Sequence, residues 1–195
     1  TAALEALQNT FDKQQFEAVI TKADRLMLQS ENTGFAARVG LLKATAIGRL
    51  DGKEAYQQAL KTLIEVYPKE TATEEAVLQL ERVQKWAPIE SAQGGKAKIV
   101  FPFIKTDTLG PKTIHKTLHR AFEELDKKHL TTSLDVYNRT HHFVVVHGFK
   151  NQSEAEGFAE LIRINKAYLV KQKNFVALSS DFKNGLIYKT LDSFF

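Results

Sequence analysis

The chain has 195 residues, 43% of them hydrophobic and 26% charged, with a formal net charge of +4 and no cysteine. The apolar share suffices for packed cores in one or two domains, no apolar run reaches the ~20 residues of a membrane helix, and the missing thiol excludes disulfides, thiolate metal ligands and cysteine nucleophiles. Charge is uneven: residues 1–92 carry 11 basic and 13 acidic side chains, net −2, and residues 93–195 carry 16 and 10, net +6, so an anionic partner should meet the second half.

Taken in order, the first half has the period of helices. Ala18, Val19, Ala23, Leu26 and Met27 follow Phe16 at helical spacing, and Val39, Leu42, Ala46 and Leu50 repeat it before Asp51-Gly52 stops the run. Ala55, Ala59, Leu60, Leu63 and Ile64 form a third apolar face, ended by Tyr67-Pro68. A fourth helix is predicted from Thr73 to Lys85, with Ala76, Val77, Leu80 and Val83 inward. Such short connections require antiparallel neighbours, and Gly40, Ala44 and Ala59 allow close backbone approach.

The Pro, Ser and Gly-Gly of residues 87–97 predict a linker. Beyond it, Ile99 to Ile104 reads as a strand, and Gly110-Pro111 opens a helix carrying Ile114, Leu118, Ala121, Phe122 and Leu125 on one face. Residues Leu130 to Tyr137 alternate in the manner of a half-buried strand, and Asn138 to Thr140 turn the chain into the strand Phe143 to Phe149. Ser153 and Glu156 have the spacing of a capping box for a helix with Ala155, Phe158, Ala159 and Ile162 inward. Phe175 to Ser179 supplies the last strand, and Asn184-Gly185 reads as a turn.

The predicted fold class is therefore α+β in two domains: a tetratricopeptide-like helical module over 1–86, a linker over 87–97, a ferredoxin-like βαββαβ domain over 98–182, and a C-terminal tail over 183–195. Both helices of the second domain are expected on one sheet face, leaving the other open to bind something or to pack on the helical module.

Two family resemblances accompany this pattern. The string AYQQALKTLIEVYPKETATEEAVLQL resembles the tetratricopeptide variety of bacterial outer-membrane assembly and envelope proteins, and FDKQQFEAVITKADRLM resembles the second helix of a preceding repeat. The distance from Phe16 to Tyr56 exceeds the usual ~34-residue period, so the repeats are irregular. The segments HHFVVVHGFKNQSEAEGFAELI and NFVALSSDFKNGLIYKTLDSFF are similar to the C-terminal region of the SprE/PorW-type tetratricopeptide lipoproteins of Bacteroidota. That resemblance implies an outer-membrane-associated periplasmic lipoprotein of the type IX secretion and gliding-motility apparatus, acting as an adaptor between protein components. The family's lipidated cysteine would lie upstream of Thr1, and any membrane association would be through that anchor.

Catalytic chemistry is not expected. There is no GxSxG elbow, and Gly94-Gly95-Lys96 lacks both the earlier glycine, since position 90 is Glu90, and the following Ser or Thr, since Ala97 stands there. No cofactor is predicted. All six histidines lie in the second half: His115, His119, His129, His141, His142 and His147. His115, His119 and Glu123 recur every four residues on one helix, a spacing that suits a metal, although a solvated helix face is the simpler account. His141 and His142 read as strand-entrance residues, and His147 as a packing or hydrogen-bonding residue on the face of Phe143, Val145 and Phe149.

The leading expectation is a non-catalytic protein–protein adaptor. Tyr137, Phe143, Phe149 and Tyr168 are its candidate interface residues, and the concave side of the helical stack is a second candidate surface. The alternative is a module that binds glycan such as peptidoglycan, or RNA, through the open sheet face. RNA is disfavoured because the strand lacks the Lys/Arg-Gly-Phe type of signature.

Overall fold

The structure is a computed structural model describing Ala2–Ser91 and Gly94–Phe195. It is α+β, with eight α-helices and one four-stranded antiparallel sheet among the described residues, and the helical part comes first. The chain divides into two compact units, residues 1–88 and 89–195.

The first unit contains α1 (Ala2–Asp12), α2 (Phe16–Gln29), α3 (Thr33–Asp51), α4 (Lys53–Val66) and α5 (Thr71–Gln84). Each helix packs on its chain neighbour, and α3 also touches α1 and α5. The sequence reading missed α1, whose buried residues are Leu7 and Thr10 alone; two inward positions do not make a period. Gly52 separates α3 from α4 at a φ of 89°, a left-handed value that favours glycine, and Asn32 caps α3 by accepting the Phe35 amide at 2.9 Å. Small residues set the helix spacing: a Cβ on Gly40 would lie 2.6 Å from Leu63 Cδ1. Ala44, Leu60, Leu63 and Ala76 form the core of α3, α4 and α5. Val77, predicted inward, is 38% exposed, because the buried stripe of α5 runs through Ala72, Thr73, Ala76 and Val83.

The second unit contains β1 (Ala97–Ile104), α6 (Gly110–Glu124), β2 (Thr131–Val136), β3 (His141–Phe149), α7 (Gln152–Ile164), β4 (Phe175–Leu178) and α8 (Ser179–Tyr188), followed by a 3-10 turn over Asp192–Phe194. The strand order is β2-β3-β1-β4, every pairing being antiparallel. One sheet face carries Ile99, Phe101, Val144 and Val146 against Leu118 and Phe122 of α6 and Phe158 and Ile162 of α7.

The other face is not open. Val100, Phe143, Val145 and the adjoining Tyr137 are covered by Phe182, Leu186, Leu191 and Phe195, which come from α8 and the chain end. The predicted turn at Asn184-Gly185 is the interior of α8, with Gly185 buried. A Cβ there would lie 2.4 Å from Leu191, so the glycine serves close approach and not a turn. Lys189 ends the helix in the left-handed conformation at φ 55° and reverses the tail onto the sheet.

The predicted linker also differs. Asn184 brackets Ile89, its Oδ1 accepting the Ile89 amide at 2.9 Å and its Nδ2 donating to the Ile89 carbonyl at 2.8 Å. Ser91 bonds Asp181. Residues 89–91 thus belong to the second unit, β1 already begins at Ala97, and two of the predicted linker positions, Ala92 and Gln93, lie outside the described residues.

A bulge places the end of β3. Ile99 pairs Val146 and Ala97 pairs Phe149, so the one intervening residue of β1, Lys98, opposes two of β3, His147 and Gly148. Gly148 occupies the irregularity at φ 109°, where a Cβ would sit 2.9 Å from the His129 carbonyl oxygen. The extra residue moves Phe149 to the α6/α7 face, away from Phe143 and Val145, where strict alternation had placed it.

Candidate functional site

In the helical unit, α2, α3 and α4 enclose an open groove of about 390 Å3. Its floor is Met27, Gly40, Ala44, Ala59 and Leu63; Ile47, Val66 and Tyr67 lie along it, and Lys43, Gln58 and Thr62 stand at the rim. The short side chains of Ala44, Ala55 and Ala59 leave the groove unfilled. Val66 is 59% exposed on its wall. Lys43 is tied to Asp24 at 2.6 Å, which neutralises the rim cation nearest the floor. The arrangement offers apolar contact with few polar partners, which suits a side chain or short amphipathic segment more than a charged metabolite.

The four candidate interface aromatics are placed very differently. Tyr137 and Phe143 are fully buried and stacked at 4.7 Å on the α8 side of the sheet. Phe149 is buried on the opposite side against Phe158 at 5.7 Å. These three are core, because α8 and the tail seal one face and α6 and α7 the other. Tyr168 remains half-buried, its hydroxyl donating to Glu124 Oε2 at 2.7 Å, with the Arg120 guanidinium 5.5 Å from its ring centroid. The structure does not bring these four candidate interface residues to one surface.

Tyr137 is instead a structural hub. Its hydroxyl accepts the Leu191 amide at 2.9 Å and donates to Asp192 Oδ2 at 3.3 Å, and Lys189 Nζ lies 5.1 Å from its ring centroid. Burial pushes the hydroxyl pKa up to about 12, so it stays protonated and keeps both roles.

His147 joins a polar chain on the α8 side of the sheet that sequence reasoning did not assemble. Lys98 Nζ lies 2.8 Å from its Nδ1, Ser133 Oγ lies 2.7 Å from its Nε2, and Ser133 donates to Asp135 Oδ2 at 3.1 Å. An ammonium can only donate, so Nδ1 accepts and the ring proton sits on Nε2, pointing at Ser133. The donors therefore run in one direction, from Lys98 through His147 and Ser133 to Asp135. With its proton on Nε2, the imidazole does not draw the proton from Ser133. Burial first, then the Lys98 charge, holds the His147 pKa below its ordinary value; burial likewise lowers that of Lys98. Ser133 and Asp135 were legible as one strand face, but only the pairing of Thr131 with His147 sets them beside the histidine, and only the β1 register brings Lys98.

His142 pairs with Phe103 and Val136 in the sheet. Its Nε2 is buried with no hydrogen-bond partner among the described residues, and burial foremost lowers its pKa. His141 contacts the Phe195 ring at 4.5 Å. His115 and His119, both exposed on α6, lie with ring centroids 4.2 Å apart beside Thr132 of β2.

Comparison with protein-family models, with curated proteins and with solved structures gives no match.

Proposed function

We propose that this chain is a non-catalytic protein–protein adaptor whose helical unit receives an apolar segment of another protein. The observation that carries this reading is the groove of about 390 Å3 between α2, α3 and α4, floored by Met27, Ala44, Ala59 and Leu63. Filling it with one or two aliphatic side chains would contribute ~1.5–3 kcal/mol for each one fully buried. The succession of short helices, each packed on its neighbour with α3 touching both α1 and α5, supports a tetratricopeptide-like stack. The order β1-α6-β2-β3-α7-β4, with β1 and β3 central, supports a ferredoxin-like second unit. The resemblance to the SprE/PorW-type lipoproteins assigns the adaptor to a periplasmic, outer-membrane-associated secretion or gliding-motility complex.

Crosslinking in the native envelope tests the assignment, and recovery of no secretion or motility component sinks it. The groove itself is tested by Thr62→Arg combined with Val66→Glu, both at exposed positions, which should abolish the crosslinks while leaving thermal stability unchanged. Undiminished crosslinks in that variant would move the binding surface elsewhere. The alternative, a glycan or RNA module, would use the sheet face whose apolar part is covered by Phe182, Leu186, Leu191 and Phe195.

A further inference from the structure

We propose that His115, His119 and Thr132 form a binding site for one divalent transition-metal ion of the imidazole-preferring class, with zinc, copper and nickel as its ligands. Spacing of four residues on α6 sets both rings on one helix face. What sequence spacing does not provide is convergence, and here it is present: His115 Nδ1 lies 2.9 Å and His119 Nε2 3.0 Å from the same Thr132 Oγ1. Two ring nitrogens therefore point at one place beside the edge strand β2.

The ring separation is slightly shorter than that of two imidazoles sharing one ion. Imidazoles bound at about 2.1 Å would have centroids roughly 4.6 Å apart at the right angle of a tetragonal copper or nickel site and roughly 5.3 Å apart at the tetrahedral angle of zinc. The observed separation is 4.2 Å, so the two rings must open by about 0.4 Å for copper or nickel and by about 1 Å for zinc, through rotation of two exposed side chains. The scaffold is firm: His119 leans on Phe122 with centroids 5.4 Å apart, and Leu118 and Phe122 are anchored in the core. The hydroxyl of Thr132 offers a third, weaker contact.

Among the described residues no third His, Cys, Asp or Glu completes the set. The ion would keep open positions for water or for a carboxylate from outside. An apolar depression of about 270 Å3, lined by Pro111, His115, Leu134 and Val144, adjoins the site and gives such a ligand room. Oxygen-seeking calcium and magnesium should not bind, because imidazole suits transition metals.

Zinc chloride alone, titrated into the whole chain by calorimetry, tests the assignment, with imidazole proton resonances followed in parallel. The expected result is one equivalent, with shifts at His115 and His119 and not at His129, His141, His142 or His147. His115→Ala and His119→Ala should each weaken binding about tenfold or more, since either change leaves a single imidazole ligand. His141→Ala should leave binding unaltered. Zinc bound equally well by His119→Ala, or shifts confined to other histidines, would overturn the site. Both histidines are exposed, and the resonances of the unaltered chain decide the question even if a variant is poorly folded.

Discussion

The Tyr137 hydroxyl accepts the Leu191 amide at 2.9 Å, joining the end of the β2–β3 hairpin to the chain terminus 54 residues later. Leu191 is buried over Gly185, so this bond fixes the residue that closes the second sheet face. Tyr137→Phe keeps the ring stacked on Phe143 but leaves a buried amide without its acceptor, which costs about 1–3 kcal/mol. Urea denaturation should show that loss, and hydrogen exchange should accelerate first at the Leu191 amide. Unchanged exchange there would mean that the bond does not hold the tail.

Two helical glycines should respond in opposite directions. Gly185→Ala sets a Cβ within 2.4 Å of Leu191, and the overpacking should cost roughly 1–3 kcal/mol. A Cβ on Gly157 meets nothing within 4 Å, so Gly157→Ala should stabilise α7 by about 0.5–1 kcal/mol through helix propensity. Thermal melts of the two variants check both signs. A neutral Gly185→Ala would show that the tail is loosely seated.

The cap of α7 lies two residues before the Ser153/Glu156 pair that the sequence suggested. Asn151 Oδ1 accepts the Glu154 amide at 2.9 Å, and Glu154 Oε2 accepts the Lys150 amide at 2.7 Å. Asn151→Ala should therefore cost about 1 kcal/mol, whereas Ser153→Ala, inside the helix, should cost little. Equal losses in denaturant titrations would contradict this placement.

Acid should destabilise the second unit through its histidines. His115, His142 and His147 are held below the ordinary histidine range, foremost by burial. Each folded pKa then lies below the unfolded value of about 6.5, and in that window the unfolded chain binds more protons. Their contribution is complete above about pH 6.5 and is lost as pH falls through the folded values. Urea midpoints at pH 7.5 and 5.0 measure the drop. His142→Phe removes a titrating ring whose Nε2 is buried without a partner, and should make the drop shallower. An equal or steeper drop in that variant would exclude His142 as a contributor.

The sequence by itself determined α2 to α5 and the β-α-β-β-α-β order, because both follow from local apolar period and from punctuation by Gly52, Pro68 and Asn138. It also marked His115, His119 and His147 as residues of interest. Tertiary structure alone decided what covers what. The segment after β4 looked like a turn and a tail because Asn184-Gly185 has the composition of a turn, yet Gly185 is helical in order to admit Leu191. One extra residue at Gly148 sent Phe149 to the opposite face from Phe143, and no count of alternating residues reveals a bulge that depends on the partner strand. The same reason governs both candidate sites: the α2–α4 groove and the meeting of His115, His119 and Thr132 arise from contacts between elements, and local sequence period specifies a face without naming what it will meet.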